Sequence, residues 1–188
     1  MNAQEALEKL KKGNDHYVAD SLTPNRAIGK VRETLTEGQS PYAIILSCAD
    51  SRVAPEQIFD ADLGELFVVR VAGNVANTSS VASIEYAVAH LGTPLIVVLG
   101  HESCGAVKAT LGGGDNGYNL NHLLAHITPA VAATEDTSNV AAVVKKNAEL
   151  NATELVTRSS IIADAVSKGT CKIVSGYYSL SNGRVDFL

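Results

Sequence analysis

The sequence is poor in cysteine, contains no long apolar run and carries no excess of basic residues. Three cysteines in 188 residues are an odd number and too few for a disulfide scaffold, so reduced thiols or metal ligands are the better interpretation. No apolar run approaches the roughly 18 residues needed to cross a bilayer, and the N-terminal segment lacks the apolar core of a secretory signal. We therefore expect a cytoplasmic protein with no membrane partner.

The charge balance excludes a second class of partner. The formal net charge is -5 at pH 7, whereas nucleic-acid binding requires a concentrated basic face. We therefore expect no nucleic-acid partner and a substrate that is not a polyanion. An apolar content of 46% and a charged content of 19% are typical of globular proteins, and 188 residues suffice for one domain with a full core.

The apolar pattern predicts a helix followed by a parallel sheet. Residues 3–18 have apolar positions at helical spacing. A second helical pattern covers 79–92, with a serine at its start and Gly92 at its end. This helix separates two of three short apolar runs, as in a strand–helix–strand crossover. The runs are nearly continuous and rich in β-branched residues, as expected of strands covered on both faces: 42–47, 66–71 and 95–100.

The remaining chain is predicted to add helices and one more strand. Helical patterns cover 103–111, 119–133, 138–157 and 158–168, and a strand is predicted near 172–178. We therefore predict an α/β fold in a single domain over 1–188, with a mainly parallel central sheet flanked by helices. Residues 1–38 are assigned to an N-terminal helical arm and residues 39–188 to the core.

Reactive polar side chains follow two of the predicted strands. The stretch "ILSCADSRVAP" places Cys48, Asp50 and Arg52 just past the first strand. The stretch "GHESCGAV" places His101 and Cys104 just past the third. In an open parallel sheet, ligands bind in the crevice outside the carboxyl ends of the strands. Both clusters should therefore face one site.

The donor atoms of these clusters are those that zinc prefers. Cys48, His101 and Cys104 offer two sulfur atoms and one imidazole nitrogen, which makes zinc the expected metal. A structural zinc site closes its shell with four cysteine or histidine ligands, but only three converge here. The fourth position is therefore open, as in a catalytic site, or occupied by a carboxylate.

Other candidate ligands are left out of this set. Cys171 stands in "TCKIV" without polar neighbours, so we interpret it as a structural residue. His122 and His126 are four residues apart on a predicted helix, but no third donor accompanies them.

Together, "CADSR" and "HESC" resemble the paired motifs of the β-class carbonic anhydrases. The stretches "GELFVVRVAGN", "SIEYAVAHLG" and "PLIVVLGHESCGAV" are also similar to that family, so the resemblance covers most of the chain. It implies one zinc ion per chain, bound by Cys48, His101 and Cys104, with Asp50 and Arg52 as a dyad beside it. The plant-like subgroup of the family further implies a substrate pocket lined by three residues: Gln39, Phe67 and Tyr86.

The implied activity is that of a carbonic anhydrase, a zinc lyase. A zinc-bound hydroxide would attack carbon dioxide and release bicarbonate and a proton. Asp50 would orient the hydroxide through a hydrogen bond, and Arg52 would keep Asp50 ionised. Phe67 and Tyr86 would form an apolar wall, and Gln39 would donate a hydrogen bond to a substrate oxygen.

Two alternative functions use the same residues. A hydrolase of carbonyl sulfide or carbon disulfide would need identical zinc ligands and would differ only in pocket shape and access. A non-enzymatic zinc or redox-sensing protein could use Cys48 and Cys104 as a switchable pair. That second alternative assigns no role to Asp50, Arg52, Gln39 or Tyr86.

The resemblance also raises the question of the fourth zinc position. Some family members have a closed state in which the carboxylate matching Asp50 binds zinc, favoured in one subgroup by a bicarbonate pocket built with a tryptophan and a tyrosine. Here the matching positions are Ile45 and Ser179, although Arg70 matches the arginine of that pocket. We therefore expect Asp50 to face Arg52 near and above neutral pH.

Assembly is the last expectation. The apolar stripe of the helix at 3–18 needs a partner surface, and a small sheet covered on both faces offers little room for it. The resemblance implies N-terminal helices that clasp a neighbouring subunit. We therefore expect a homodimer or a dimer of dimers, with the zinc clefts near the subunit boundary.

Overall fold

A five-stranded sheet forms the centre of the computed structural model, which describes residues 1–23 and 28–188. In space the strands follow the order β2-β1-β3-β4-β5, and β5 alone runs antiparallel to its neighbour. The predicted α/β fold with a mainly parallel sheet is confirmed, but β5 was not predicted. The strands are β1 (Ala43–Ser47), β2 (Leu66–Arg70), β3 (Leu95–His101), β4 (Lys172–Tyr178) and β5 (Val185–Phe187).

Helices cover both faces of the sheet. The long helices agree with the apolar patterns, whereas α2 and α3 are too short to give a periodic signal and were not predicted. The α-helices of the described residues are α1 (Ala3–Val18), α2 (Ile28–Thr34), α3 (Pro55–Ile58), α4 (Thr78–Leu91), α5 (Gly105–Gly112), α6 (Tyr118–Ala125), α7 (Thr128–Ala132), α8 (Val140–Arg158) and α9 (Ser160–Ser167).

The prediction of a single helix over 119–133 is wrong. The chain forms α6 and α7 instead, separated at His126 and Ile127. Pro129 lies in the first turn of α7, where its missing N–H does no harm. Inside a continuous helix the same proline would remove a hydrogen bond and disfavour helical geometry at the residue before it. The proline therefore accounts for the break.

Alternate residues of the central strands supply two separate cores. Ile45 and Val97 point toward α1, where they pack with Leu10 and other buried side chains. Ile44 and Ile96 point to the opposite face, in a cluster with residues of α4, α8 and α9. Burial on both faces explains why these strands are almost continuously apolar.

The N-terminal helix packs against its own chain. Ala6, Leu7 and Leu10 are buried in the core beneath the sheet. The expectation that this stripe lacks room in its own subunit is therefore wrong, because the sheet face next to β1 and β3 accepts it. Residues 24–27 of the predicted N-terminal arm lie outside the described residues. No helix within the described ranges combines the length and apolarity needed to cross a membrane.

The close approach of α1 gives a first testable prediction. A Cβ atom at Gly13 would overlap the backbone carbonyl oxygen of Phe59. Gly13→Ala should therefore lower the free energy of unfolding by about 1–3 kcal/mol, as other overpacked sites do. Urea denaturation would measure it. Gly29→Ala is the matched control, because nothing lies within 4 Å of a Cβ there. Equal stability of the two variants would contradict the prediction.

Candidate metal centre

The carboxyl ends of β1 and β3 bring the predicted ligands together. Cys48 directly follows β1, His101 is the last residue of β3, and Cys104 precedes α5. Because β1 and β3 are neighbours in the sheet, these residues meet although they are distant in sequence. Their two sulfur atoms and one imidazole nitrogen all lie within 4.8 Å of one another, and all three side chains are buried.

His101 presents one nitrogen without a partner. Its Nδ1 lies 2.9 Å from the backbone carbonyl oxygen of Glu102, to which it can only donate. In the neutral imidazole this leaves a lone pair on Nε2. That Nε2 atom is buried, and the described residues give it no hydrogen-bond partner. Buried polar atoms are normally satisfied, so an unpartnered lone pair in a sulfur-rich cluster fits a metal ligand.

The pKa values of the two thiols shift in opposite directions. The pKa of Cys48 is lowered, chiefly by a hydrogen bond from the Cys104 thiol, while the pKa of Cys104 is raised because it retains that shared proton and is buried. Cys104 also lies at the N-terminus of α5, where the helix dipole favours a negative charge. A cation could take the place of the shared proton. With the free Nε2 of His101, the donor set fits zinc.

Asp50 and Arg52 form a two-point ion pair beside the ligands. Arg52 Nε donates to Asp50 Oδ1 at 2.9 Å, and its Nη2 donates to Oδ2 at 2.8 Å. The backbone N–H of Arg52 adds a third bond to Oδ1 at 3.0 Å. This pairing holds the pKa of Asp50 well below its usual range. The carboxylate is therefore ionised and held by Arg52, with Oδ2 at 3.9 Å from His101 Nε2.

Arg70 holds the loop that carries Cys48 and Asp50. Its Nε donates to the carbonyl oxygen of Cys48 at 3.0 Å, and its Nη2 donates to that of Asp50 at 2.7 Å. The family resemblance alone matches Arg70 to the arginine of the bicarbonate pocket and does not reveal these two bonds. The two other positions of that pocket have different surroundings here: Ile45 is buried in the core, and Ser179 donates to the carboxylate of Glu102. The two hydrogen bonds from Arg70 therefore fix the backbone conformation of the loop that carries Cys48 and Asp50.

The predicted pocket residues lie away from the ligands of the same chain. Phe67 pairs with Ile44 near the amino-terminal end of the edge strand β2, three residues before Arg70, or about 10 Å along the strand from its carboxyl end. Tyr86 of α4 lies next to Phe67, with ring centroids 6.3 Å apart. Gln39 precedes β1, at the opposite end of that strand from Cys48. One chain alone does not bring these three side chains to the metal ligands.

Comparison with known proteins gives a consistent result. A family model described as carbonic anhydrase matches residues 43–185. A carbonic anhydrase of Mycolicibacterium smegmatis is 41% identical, over 98% of this chain and 93% of the relative. Carbonic anhydrase 2 of Mycobacterium tuberculosis is 40% identical, over 97% of this chain and 91% of the relative.

Solved structures extend the similarity to the fold. A tetrameric β-carbonic anhydrase of Sordaria macrospora has a TM-score of 0.76 at 26% identity, covering 92% of this chain and 95% of the other. A Coccomyxa β-carbonic anhydrase in complex with acetazolamide has a TM-score of 0.72 at 27% identity, covering 97% of this chain and 84% of the other. The similarity therefore spans nearly the whole described fold.

Proposed function

Because the chain belongs to the β-carbonic anhydrase family, we propose that it catalyses the reversible hydration of carbon dioxide to bicarbonate and a proton. One zinc ion per chain is held by Cys48, His101 and Cys104. The observation that carries the proposal is the buried convergence of two sulfur atoms and an unpartnered imidazole nitrogen. Three protein ligands leave a position for water or substrate, as in catalytic zinc sites.

The residues around the metal have distinct tasks. When bound, zinc makes a water molecule acidic enough to lose a proton near neutral pH. Asp50, ionised and fixed by Arg52, accepts a hydrogen bond from the attacking water and so orients its lone pair toward carbon dioxide. Apolar neighbours such as Val75 and Val107 keep bulk water from the ligands.

The alternative functions are less well supported. A redox sensor would need only the two thiols, and the two-point ion pair between Asp50 and Arg52 would have no purpose in it. Hydrolysis of carbonyl sulfide or carbon disulfide would use the same ligands and differ in the pocket above them. The relatives described above are named as carbonic anhydrases, which favours carbon dioxide.

The test is a side-by-side assay on protein of measured zinc content. Stopped-flow hydration of carbon dioxide at neutral and alkaline pH should show rapid turnover, and release of sulfide from carbonyl sulfide and carbon disulfide should be slow by comparison. Protein with one zinc per chain that fails to hydrate carbon dioxide would refute the proposal. If sulfide release were faster than hydration, the protein would instead be a hydrolase of carbonyl sulfide or carbon disulfide.

A second copy of the chain is proposed to complete the pocket. Strand β2 is at the edge of the sheet, and Tyr86 beside it is half exposed. Gln39, Phe67 and Tyr86 lie on this side of the molecule. A partner that docks here would therefore have its own metal site beside these three residues. The similar Sordaria enzyme is tetrameric, which supports a homodimer or a dimer of dimers here.

Mixed dimers test this arrangement. Cys104→Ser removes a ligand, and Tyr86→Ala removes a pocket residue, so each homodimer should have low activity. In a mixed dimer, the Tyr86→Ala chain supplies intact ligands and the Cys104→Ser chain supplies an intact pocket. Unfolding and refolding the two variants together should therefore restore activity, measured by carbon dioxide hydration. Activity no higher than the sum of the separate variants, or a fully active monomer by light scattering, would contradict the prediction.

A further inference from the structure

Two asparagines of α8 are buried behind the metal centre, and none of the chemistry above uses them. Asn147 is 1% exposed and Asn151 is 4% exposed. Burying a side-chain amide is unfavourable unless its hydrogen bonds are satisfied. Both lie on the face of α8 that packs against the sheet, one helical turn apart, with Ala148 and Leu155 on the same face. Apolar residues would be expected at such positions, so the amides require an explanation.

The hydrogen bonds of the two amides run in one direction. Asn151 Oδ1 accepts from the backbone N–H of Ala76, and Asn151 Nδ2 donates to Asn147 Oδ1 at 3.0 Å. Asn147 Nδ2 in turn donates to the carbonyl oxygen of Gly73 at 2.8 Å. Reversing either amide would set two acceptors or two donors against each other. The network therefore has one consistent orientation, which the N–H of Ala76 fixes.

Gly73 connects this network to the metal ligands. Its backbone N–H donates to Cys48 Sγ at 3.3 Å, while its carbonyl oxygen accepts from Asn147. The residue has a positive φ of 70°, which favours glycine. A Cβ there would lie 2.6 Å from Ile127 Cδ1, so any larger residue at this position would have to displace the Ile127 side chain. One short backbone unit thus lies between the Asn147 amide and the Cys48 sulfur.

We propose that Asn147 is a positioning residue for the metal centre, which holds Gly73 so that its N–H points at Cys48 Sγ. Asn151 acts one step further away by fixing the orientation of Asn147. An N–H that points at a thiolate stabilises its negative charge and restricts where the sulfur can lie. The inference rests on the proposed function only in that Cys48 binds a metal.

The network could instead serve only to attach α8 to the segment at 72–76. The two roles predict different results, because a purely structural role would affect stability without changing the electronic state of the sulfur. A metal whose absorption depends on its sulfur ligands separates them. Cobalt(II) is a suitable probe, since its thiolate charge-transfer band responds to hydrogen bonds at the sulfur.

Asn147→Leu is the informative variant. It keeps the approximate shape of the side chain and leaves Asn151 with the backbone carbonyl oxygen of residue 147 as an acceptor. Gly73 then loses its side-chain partner, while Asn151 Nδ2 keeps one of its two acceptors. We expect zinc affinity, measured by chelator competition, to fall about tenfold or more, as for other residues that orient metal ligands. The cobalt charge-transfer band should also shift.

Leu155→Ala is the matched control. Leu155 is fully buried on the same helix, one turn beyond Asn151, but belongs to the core behind β1 and β3. This variant should lose thermal stability and keep the zinc affinity and cobalt spectrum of the wild type. If Asn147→Leu is insoluble, Asn147→Ser keeps a polar side chain too short to reach Gly73 and should weaken zinc binding in the same direction.

Three outcomes would overturn the inference. They are wild-type zinc affinity in the Asn147 variants, an unchanged cobalt spectrum in them, or an equal change in Leu155→Ala. The metal titrations are independent of turnover. Wild-type protein that binds zinc but does not hydrate carbon dioxide would refute the proposed function, and the comparison of Asn147→Leu with Leu155→Ala would still decide the role of Asn147.

Discussion

Replacing any one of Cys48, His101 and Cys104 should remove most of the zinc from the protein. We expect Cys48→Ser, His101→Ala and Cys104→Ser each to be nearly zinc-free after gel filtration, and hydration activity to fall to the uncatalysed level. The physical reason is that a site with three protein ligands tolerates little deletion, since two ligands hold the ion only weakly. Elemental analysis of the purified chains would measure the zinc content.

The third cysteine provides the control for this experiment. Cys171 is buried in a different cluster, beside Ile162 and Ile173, and burial raises its pKa to about 11. It is therefore a protonated thiol at neutral pH, so Cys171→Ser should keep about one zinc per chain and wild-type activity. Full zinc retention in one of the three ligand variants would remove that residue from the ligand set.

Removing Arg52 should lower activity without emptying the site. Arg52→Ala removes both side-chain bonds to Asp50 and leaves only the backbone N–H bond to Oδ1, so Oδ2, which already lies 3.9 Å from His101 Nε2, is freed. The released carboxylate can turn toward the metal and occupy the position that water needs. We expect hydration to slow by about 100-fold, near the upper end of the range for residues that orient metal ligands, with zinc content unchanged. Stopped-flow assay and elemental analysis measure the two quantities.

Two further variants separate geometry from charge. Arg52→Lys keeps the positive charge but cannot make both side-chain bonds to Asp50, so its activity should be intermediate. Arg184→Ala removes an exposed arginine whose guanidinium faces Asp15 of α1 and not Asp50, and should have no effect. Wild-type rates in Arg52→Ala would show that the pair does not restrain Asp50. A crystal structure of the zinc-loaded wild type at pH 8 with Asp50 bound to the metal would refute the same idea.

The sheet and the convergence of the ligands could be predicted because simple rules govern them. Continuous β-branched runs predict strands buried on both faces, and parallel strands place their carboxyl ends at one edge. Cys48 and His101 follow such runs directly, so their meeting point required no knowledge of the loops. The end of α4 was equally clear, because Gly92 has the left-handed conformation that glycine favours at a helix end.

The residues that hold the site in shape could not be predicted in the same way. Asn147 and Arg70 act through hydrogen bonds to backbone atoms of Gly73, Cys48 and Asp50, and such bonds leave no periodic trace in the sequence. Whether Phe67 faces its own metal site depends on its position along β2, which the apolar pattern does not give. Strand β5 has only three residues and is too short for any pattern to reveal.

The position of β3 in the middle of the sheet has a consequence for how the protein folds. Cys48 follows β1, but its partners His101 and Cys104 lie at the end of β3 and just after it. The chain forms the edge strand β2 and helix α4 before it returns to pair β3 with β1. Closing this long crossover costs chain entropy before any ligand meets another, so pairing of this kind is slow. A nascent chain that ends before β3 contains only one of the three ligands and cannot form the centre, whatever metal surrounds it. The three ligands can therefore bind a metal together only after β3 has paired with β1.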